Sequence, residues 1–241
     1  MFSFLNPRRK VASGSYAATD LHGLWLPGLD GCAADVGEAL ELIAALHDAG
    51  FRNLYATPGV GSGFPGNQPE RIRGSYETLL PQIRKRWPDL RTGLAASYEL
   101  DSRFYAHFKK LDFLTLPGER LLLRFPEEQE PLDLSDMLFR IRIKGYKVLL
   151  LQPEVLPYYT ADSGRFKRLR EKEVGLVVGL SSLAGLHGSS VQKQTEALLL
   201  NGMAEWCCSG ITDARDASRI REIEMPARLA RHLEQRPFRS P

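Results

Sequence analysis

The residues best placed for chemistry stand at the C-terminal ends of the predicted strands: Asp20, His22 and Leu24, then Pro58-Gly59, Ser97, Arg124, Gln152, Ser181-Ser182 and Gly210 to Thr212. In parallel α/β barrels the loops that converge at these ends carry the active site. A metal-dependent hydrolase would fill such positions with His, Asp and Glu, because imidazole nitrogens and carboxylate oxygens hold the divalent ions that activate water. Here the set contains one His, one Asp, several small or neutral residues and one Arg. His22 is therefore read as a hydrogen-bonded histidine at the mouth, and Asp20 as a loop anchor or a cap on a backbone amide. Ser181-Ser182 has no G-x-S-x-G elbow and no paired histidine in the sequence. His47, His107, His187 and His232 fall on predicted helices or loops and are taken as surface residues.

The elements that position these residues alternate between short β-rich runs and helical stretches, the pattern of parallel strands joined by crossover helices. Strands are predicted at 17–22, 53–57, 92–97, 121–125, 147–152, 176–181 and 205–209. Helices are predicted from Val36 to the stop at Gly50, then over 69–86, 134–144, 163–172, 190–201 and 217–234. Seven strands, mostly followed by helices, predict a single-domain α/β fold: a closed or nearly closed, TIM-like (β/α)7 barrel, with an open doubly wound sheet as the alternative. The barrel is expected over 17–235, after a basic N-terminal arm at 1–16 and before a C-terminal tail at 236–241.

The 241 residues are 43% apolar, enough for one substantial core. A net charge of +3, without a basic stripe interleaved with aromatics, argues against a nucleic-acid partner. Arg8-Arg9-Lys10 and Arg84-Lys85-Arg86 read as solvated surface. Tyr158-Tyr159 and Trp25 read as core or rim packing. Cys32, Cys207 and Cys208 cannot form a paired disulfide framework and lack zinc-site spacing, so a reducing, cytoplasmic setting is expected. The adjacent Cys207-Cys208 pair belongs on a buried strand. The apolar Met1–Leu5 is followed, not preceded, by positive charge, unlike a signal peptide. No apolar run approaches the roughly 20 residues of a membrane span.

Four stretches, in order, carry a resemblance. Thr19-Asp20-Leu21-His22-Gly23-Leu24-Trp25-Leu26-Pro27-Gly28-Leu29-Asp30-Gly31 resembles the opening D-x-H-x-H-x-L-P-G-x-D-D-G of the bacterial PHP-type tyrosine phosphatases. Ala56-Thr57-Pro58-Gly59 resembles their T-P-H turn, and Leu151-Gln152-Pro153-Glu154-Val155 their A-H-P-E-R motif. Residues 189–203 resemble the helix before their last strand and its S/T-D-x-H motif. The resemblance implies a PHP-type barrel, a protein-tyrosine phosphatase ancestry, divalent metals such as Mn, Fe or Zn in the family, and a setting beside tyrosine kinases of capsule and exopolysaccharide export.

Set against that pattern, Asp20, His22, Leu24, Gly59, Ser97, Arg124, Gln152, Gly210 and Thr212 occupy vestigial metal-site positions. The first two keep the family residue. Glu99 and Asp213 supply acids only under a shifted or gapped alignment. Val155 stands where the family has a phosphate-contacting Arg. No bound metal or other cofactor is therefore expected, and no catalytic residue is assigned. A permanent guanidinium at 124 would repel a divalent ion. It could instead bind phosphate or carboxylate, with Arg215, or pair internally with Glu127, Glu128 or Asp20. The expectation is a catalytically inactive binding or regulatory protein, partnered by a tyrosine kinase, its phosphotyrosine tail or an active paralogue. The alternatives are a phosphatase with a sparse site of His22, Glu99 and Asp213, and a purely structural partner.

Overall fold

A computed structural model describes residues 7–110 and 113–241, with the side chains of residues 103 and 107 outside that set. Met1–Leu5 and the side chain of His107 thus lie outside the described residues. The fold is a single α/β domain with mostly parallel strands. A three-stranded sheet has the order β2 (Thr19–Gly23), β3 (Asn53–Ala56), β5 (Arg91–Leu94). A six-stranded sheet runs β10 (Trp206–Cys208), β9 (Gly175–Gly179), β8 (Lys147–Leu151), β7 (Arg120–Arg124), β6 (Ser97–Glu99), β4 (Gly59–Val60). All pairings within these two sheets are parallel.

The expected closed barrel is not present as one hydrogen-bonded ring. Pro58 has no N–H to donate, so the ladder breaks between β3 and β4. A second break, at Ala95-Ala96, separates β5 from β6. Backbone bonds from Ala95 to Ala56 (2.9 Å) and from Ser97 to Pro58 (3.0 Å) bridge these breaks. The two sheets nevertheless enclose a common interior: Leu21 and Ala95 pack in one cluster with Leu122, Leu149, Leu151, Val177, Trp206 and Cys208. The alternate residues Leu121, Leu123, Leu150, Val178 and Cys207 face outward into the larger core beneath the helices, as the two-residue period of a strand requires.

Helices α1 (Val36–Asp48) and α2 (Pro69–Arg86) begin where the sequence directs. Asp35 accepts the Glu38 N–H at 3.0 Å, Glu38 returns the bond to Ala34 N at 2.7 Å, and Pro69 opens α2. The helix expected over 217–234 is instead α9 (Ala217–Arg221), β11 (Glu222–Pro226) and α10 (Ala227–Gln235). Ile223 and Met225 are buried while Glu222 and Glu224 are exposed, a strand alternation, and Pro226 has no N–H to give a helical bond. β11 pairs antiparallel with β1 (Arg8–Ala12), so within the expected basic arm Arg8–Ala12 is a strand. The C-terminal residues are also docked, with Phe238 N bonded to Tyr16 O and Arg239 N to Glu205 O, each at 2.9 Å. Helix α3 (Ser102–Lys110) is present although unexpected from the sequence.

Candidate functional site

The strand ends named by the sequence gather at one mouth, in two halves. In the first, Asp20 is fully buried on β2, and Oδ1 accepts from Ser209 N (2.8 Å) and His22 N (3.0 Å) while Oδ2 accepts from Ser209 Oγ (2.9 Å). This carboxylate joins the end of β2 to the residue after β10, where no ladder links the two strands. Burial raises its pKa, and the bonds from Ser209 and His22 oppose that rise. The expected anchoring role is seen directly; the alternative pairing of Arg124 with Asp20 is not.

His22 is buried, its Nδ1 lies 2.9 Å from Thr57 Oγ1, and Thr57 Oγ1 donates to Leu21 O at 3.3 Å. With that hydroxyl proton committed, the bond is Nδ1–H to Thr57. Burial, reinforced by the charge of Arg124, holds the imidazole pKa down to about 3. Ser97 is buried and donates to Thr57 O at 3.2 Å.

Gly59 lies directly against an aromatic ring. A Cβ at this position would overlap the ring of Phe64, which occupies the space of the absent side chain. The loop carrying Phe64 is held down by Gly63 N to Glu99 Oε2 (3.0 Å), Ser62 N to Asp101 Oδ2 (2.6 Å), and Asn67 Nδ2 to Gly59 O (2.8 Å). Arg124 lies over that ring, its Cζ 5.2 Å from the centroid, in register beside Glu99. Burial lowers the guanidinium pKa, with Glu99 and then Glu127 opposing. The acid beside Arg124 is thus chiefly Glu99, which the sequence offered only as a metal ligand.

The second half surrounds Gln152, held in the left-handed region at φ 44° and bonded through its N–H to Val177 O at 2.7 Å. Its amide lies against Gly179 and Gly210, and Ser181 Oγ fills the space beside Gly210. Ser181 Oγ is 3.1 Å from Nε2 of the exposed His187, correcting the expectation that Ser181 has no paired histidine. Ser181 itself is fully buried, so the pair presents no accessible nucleophile. Below it, Glu154 is fully buried and accepts from Gly179 N (2.7 Å) and Ser182 Oγ (2.9 Å), while Oε2 has no protein partner. Burial pushes its pKa up to about 7.

Thr212 and Arg215 are exposed, and Arg215 engages Asp213 through its guanidinium and backbone N–H. Those contacts hold the Asp213 carboxyl down to about 2. Among the described residues no three His, Cys, Asp or Glu side chains gather closely enough to hold a metal, so His22, Glu99 and Asp213 do not form the alternative site. Leu24 and Gly59 supply no donor, Gln152 supplies a neutral amide, and Arg124 places a cation among them. These residues do not fit a divalent-metal cluster. Phe64, Thr57, Ser209 and Glu154 were missed by strand-end reasoning. Glu154 had a signal, since it keeps the acid of the A-H-P-E-R pattern.

Gly210 gives a direct test of how far the mouth has been remodelled. It adopts φ +69°, and a Cβ there would meet Ser181 Oγ. Gly210→Asp, which puts a carboxylate at this strand end, is expected to cost about 2–4 kcal/mol by denaturant unfolding, from left-handed strain plus overpacking. Unfolding free energy within about 0.5 kcal/mol of wild type would show that the mouth tolerates the acid.

A single domain of mostly parallel strands, with a buried polar mouth at their C-terminal ends, defines the class as an α/β fold. The chain belongs to the family described as "Capsular polysaccharide synthesis, CpsB/CapC", which matches residues 18–235. It is 24% identical to the tyrosine-protein phosphatase YwqE of Bacillus subtilis (strain 168) over 174 residues, 72% of this chain and 68% of that protein. Its fold matches a solved structure from a study of B. subtilis YwqE and Streptococcus pneumoniae CpsB, described as unique metal-dependent tyrosine phosphatases. That match has TM-score 0.75 and 22% identity, over 83% of this chain and 81% of the other.

Proposed function

We propose that this chain is a pseudophosphatase, a family member that binds or regulates without metal-dependent hydrolysis, in tyrosine-kinase-linked polysaccharide export. The observation that carries the reading is Phe64 seated where a ligand side chain would leave Gly59, with the Arg124 guanidinium lying on it. A metal-activated water needs open coordination positions and anionic donors around them. This mouth offers an aromatic ring and a cation instead. In this reading Arg124 receives the phosphate of a phosphotyrosine tail, joined by Arg215 once it releases Asp213, and the partner is a tyrosine kinase or an active paralogue. The interior shared by the two sheets supports reading them as a parted (β/α)7 barrel of PHP type. No described helix is long and apolar enough to cross a membrane, and three unpaired cysteines suit a reducing cytoplasm.

The test joins two measurements on the purified chain. Hydrolysis of p-nitrophenyl phosphate with added Mn²⁺ is expected to stay at the uncatalysed background, and metal analysis to find far less than one ion per chain. A phosphotyrosine peptide is expected to bind by calorimetry and to lose about tenfold or more in affinity in Arg124→Gln. Turnover that rises with bound manganese would sink the reading.

A further inference from the structure

A concentration of positive charge lies at the opposite end of the strands from the mouth. There a cavity of about 540 Å³ opens between the N-terminal ends of β7, β8, β9 and β10. Six cationic side chains line it against two carboxylates, Glu173 and Glu205. Arg142 pairs with Glu173, whereas Arg170 (3.8 Å) and Arg239 (3.1 Å) share Glu205. Lys172 donates to the neutral Ser135 Oγ at 2.8 Å. Arg120 packs its guanidinium over the Trp206 ring, Cζ 5.1 Å from the centroid, and donates to Pro117 O. Among the described residues neither Arg120 nor Lys147 has a carboxylate partner. The wall thus carries a surplus of about four positive charges, and a concave site focuses that field.

The floor is apolar. Leu149 and Trp206 pack against the bare Cα of Gly175, where a Cβ would press on both, and Leu138 and Val148 complete the surface. A cationic rim around an apolar floor suits a ligand that combines clustered negative charge with a flat, weakly polar body. The volume is that of a nucleotide-sized molecule, within the roughly 300–1,000 Å³ of small-molecule pockets.

We propose that this cavity is a second ligand site, distinct from the mouth, for a nucleoside diphosphate or triphosphate. The phosphates lie against Arg120, Lys147 and Arg170, and the base lies over the Gly175 floor. Two of these cations need break no ion pair to receive the ligand. Arg170 must yield only its long contact with Glu205, which Arg239 retains.

Calorimetry of the full chain with ADP at about 50 mM salt tests this, with adenosine and inorganic pyrophosphate as separate arms. ADP is expected to bind one per chain, adenosine and pyrophosphate each about tenfold or more weakly, and ADP affinity is expected to fall as salt rises to about 300 mM. Lys147→Gln removes an exposed side chain and is expected to leave the fold intact. It should weaken ADP about threefold, and Arg120→Gln with Lys147→Gln about tenfold or more, while the exposed Arg73→Gln on α2 changes nothing. Thermal melting of each variant separates lost binding from lost folding. Absence of heat with millimolar ADP, equal binding by Lys147→Gln and the double variant, or pyrophosphate binding as tightly as ADP would each overturn the assignment.

Discussion

Asp20→Ala is expected to lower the unfolding free energy by about 3–5 kcal/mol and the melting temperature by roughly 10 °C or more. The carboxylate is fully buried and satisfies two backbone N–H groups and one hydroxyl. Alanine leaves all three without an acceptor in a place water does not reach, at about 1–3 kcal/mol for each orphaned group. It also removes the tie between β2 and the end of β10, two strands that share no ladder. Asp20→Asn keeps one carbonyl oxygen at the Oδ1 position and should cost about half as much. The contrast is diagnostic. A residue serving as a metal ligand would lose metal affinity in both variants, whereas a structural acceptor is rescued in part by the amide. Equal melting temperatures for wild type and Asp20→Ala would remove this account of the mouth.

Glu154 yields the second large effect, visible as a pH dependence. Its ordinary value of 4.5 is raised to about 7 by burial, against the opposing bonds from Gly179 and Ser182. The folded protein therefore holds this proton more tightly than the unfolded chain does. The associated stability is fully present below about pH 4.5 and is lost as pH rises toward and through 7. At about 1.4 kcal/mol per pH unit, the separation amounts to about 3 kcal/mol. Glu154→Gln keeps an oxygen for Gly179 N and Ser182 Oγ but carries no proton to lose. Relative to wild type, the variant should gain about 3 kcal/mol between pH 4.5 and pH 8, measured by urea unfolding across that range. Parallel pH profiles for the two proteins would show that Glu154 stays charged and solvated.

These effects place structural weight on the strand-end positions of the mouth. Asp20 ties strands and Glu154 caps the Gly179 turn. His22 is locked neutral against Thr57, and Arg124 covers Phe64. A mouth packed in this way resists single substitutions to ligand residues. Gly59→His meets Phe64, and Gly210→Asp meets both Ser181 and a left-handed backbone.

Much of this is legible in the sequence. Alternating β-rich and helical runs locate seven of the nine strands of the two parallel sheets to within a few residues, because burial on both faces produces continuous runs such as Leu121-Leu122-Leu123 and Leu149-Leu150-Leu151; the short β4 and β6 have no such run. Helix α2 was bounded correctly at both ends by Pro69 and by the last turn of Arg84, Lys85 and Arg86. The ordered motifs identified the family over nearly the whole chain. The same local reading failed at 217–234, where Leu229, Ala230 and Leu233 show helical spacing but Ile223 and Met225 alternate. Only pairing with β1, more than 200 residues earlier, makes that short run a strand.

What no sequence pattern held was the set of contacts made across the mouth. Asp20 meets Ser209, Phe64 meets Gly59 and Arg124, and Ser181 meets His187 through loop conformations rather than through spacing in the chain. The division follows from range. Propensity and periodicity act over a few residues and are written in neighbouring side chains. Whether an absent ligand leaves a hole, a water or a phenyl ring depends on which distant loop packs there, and tertiary packing alone decides it.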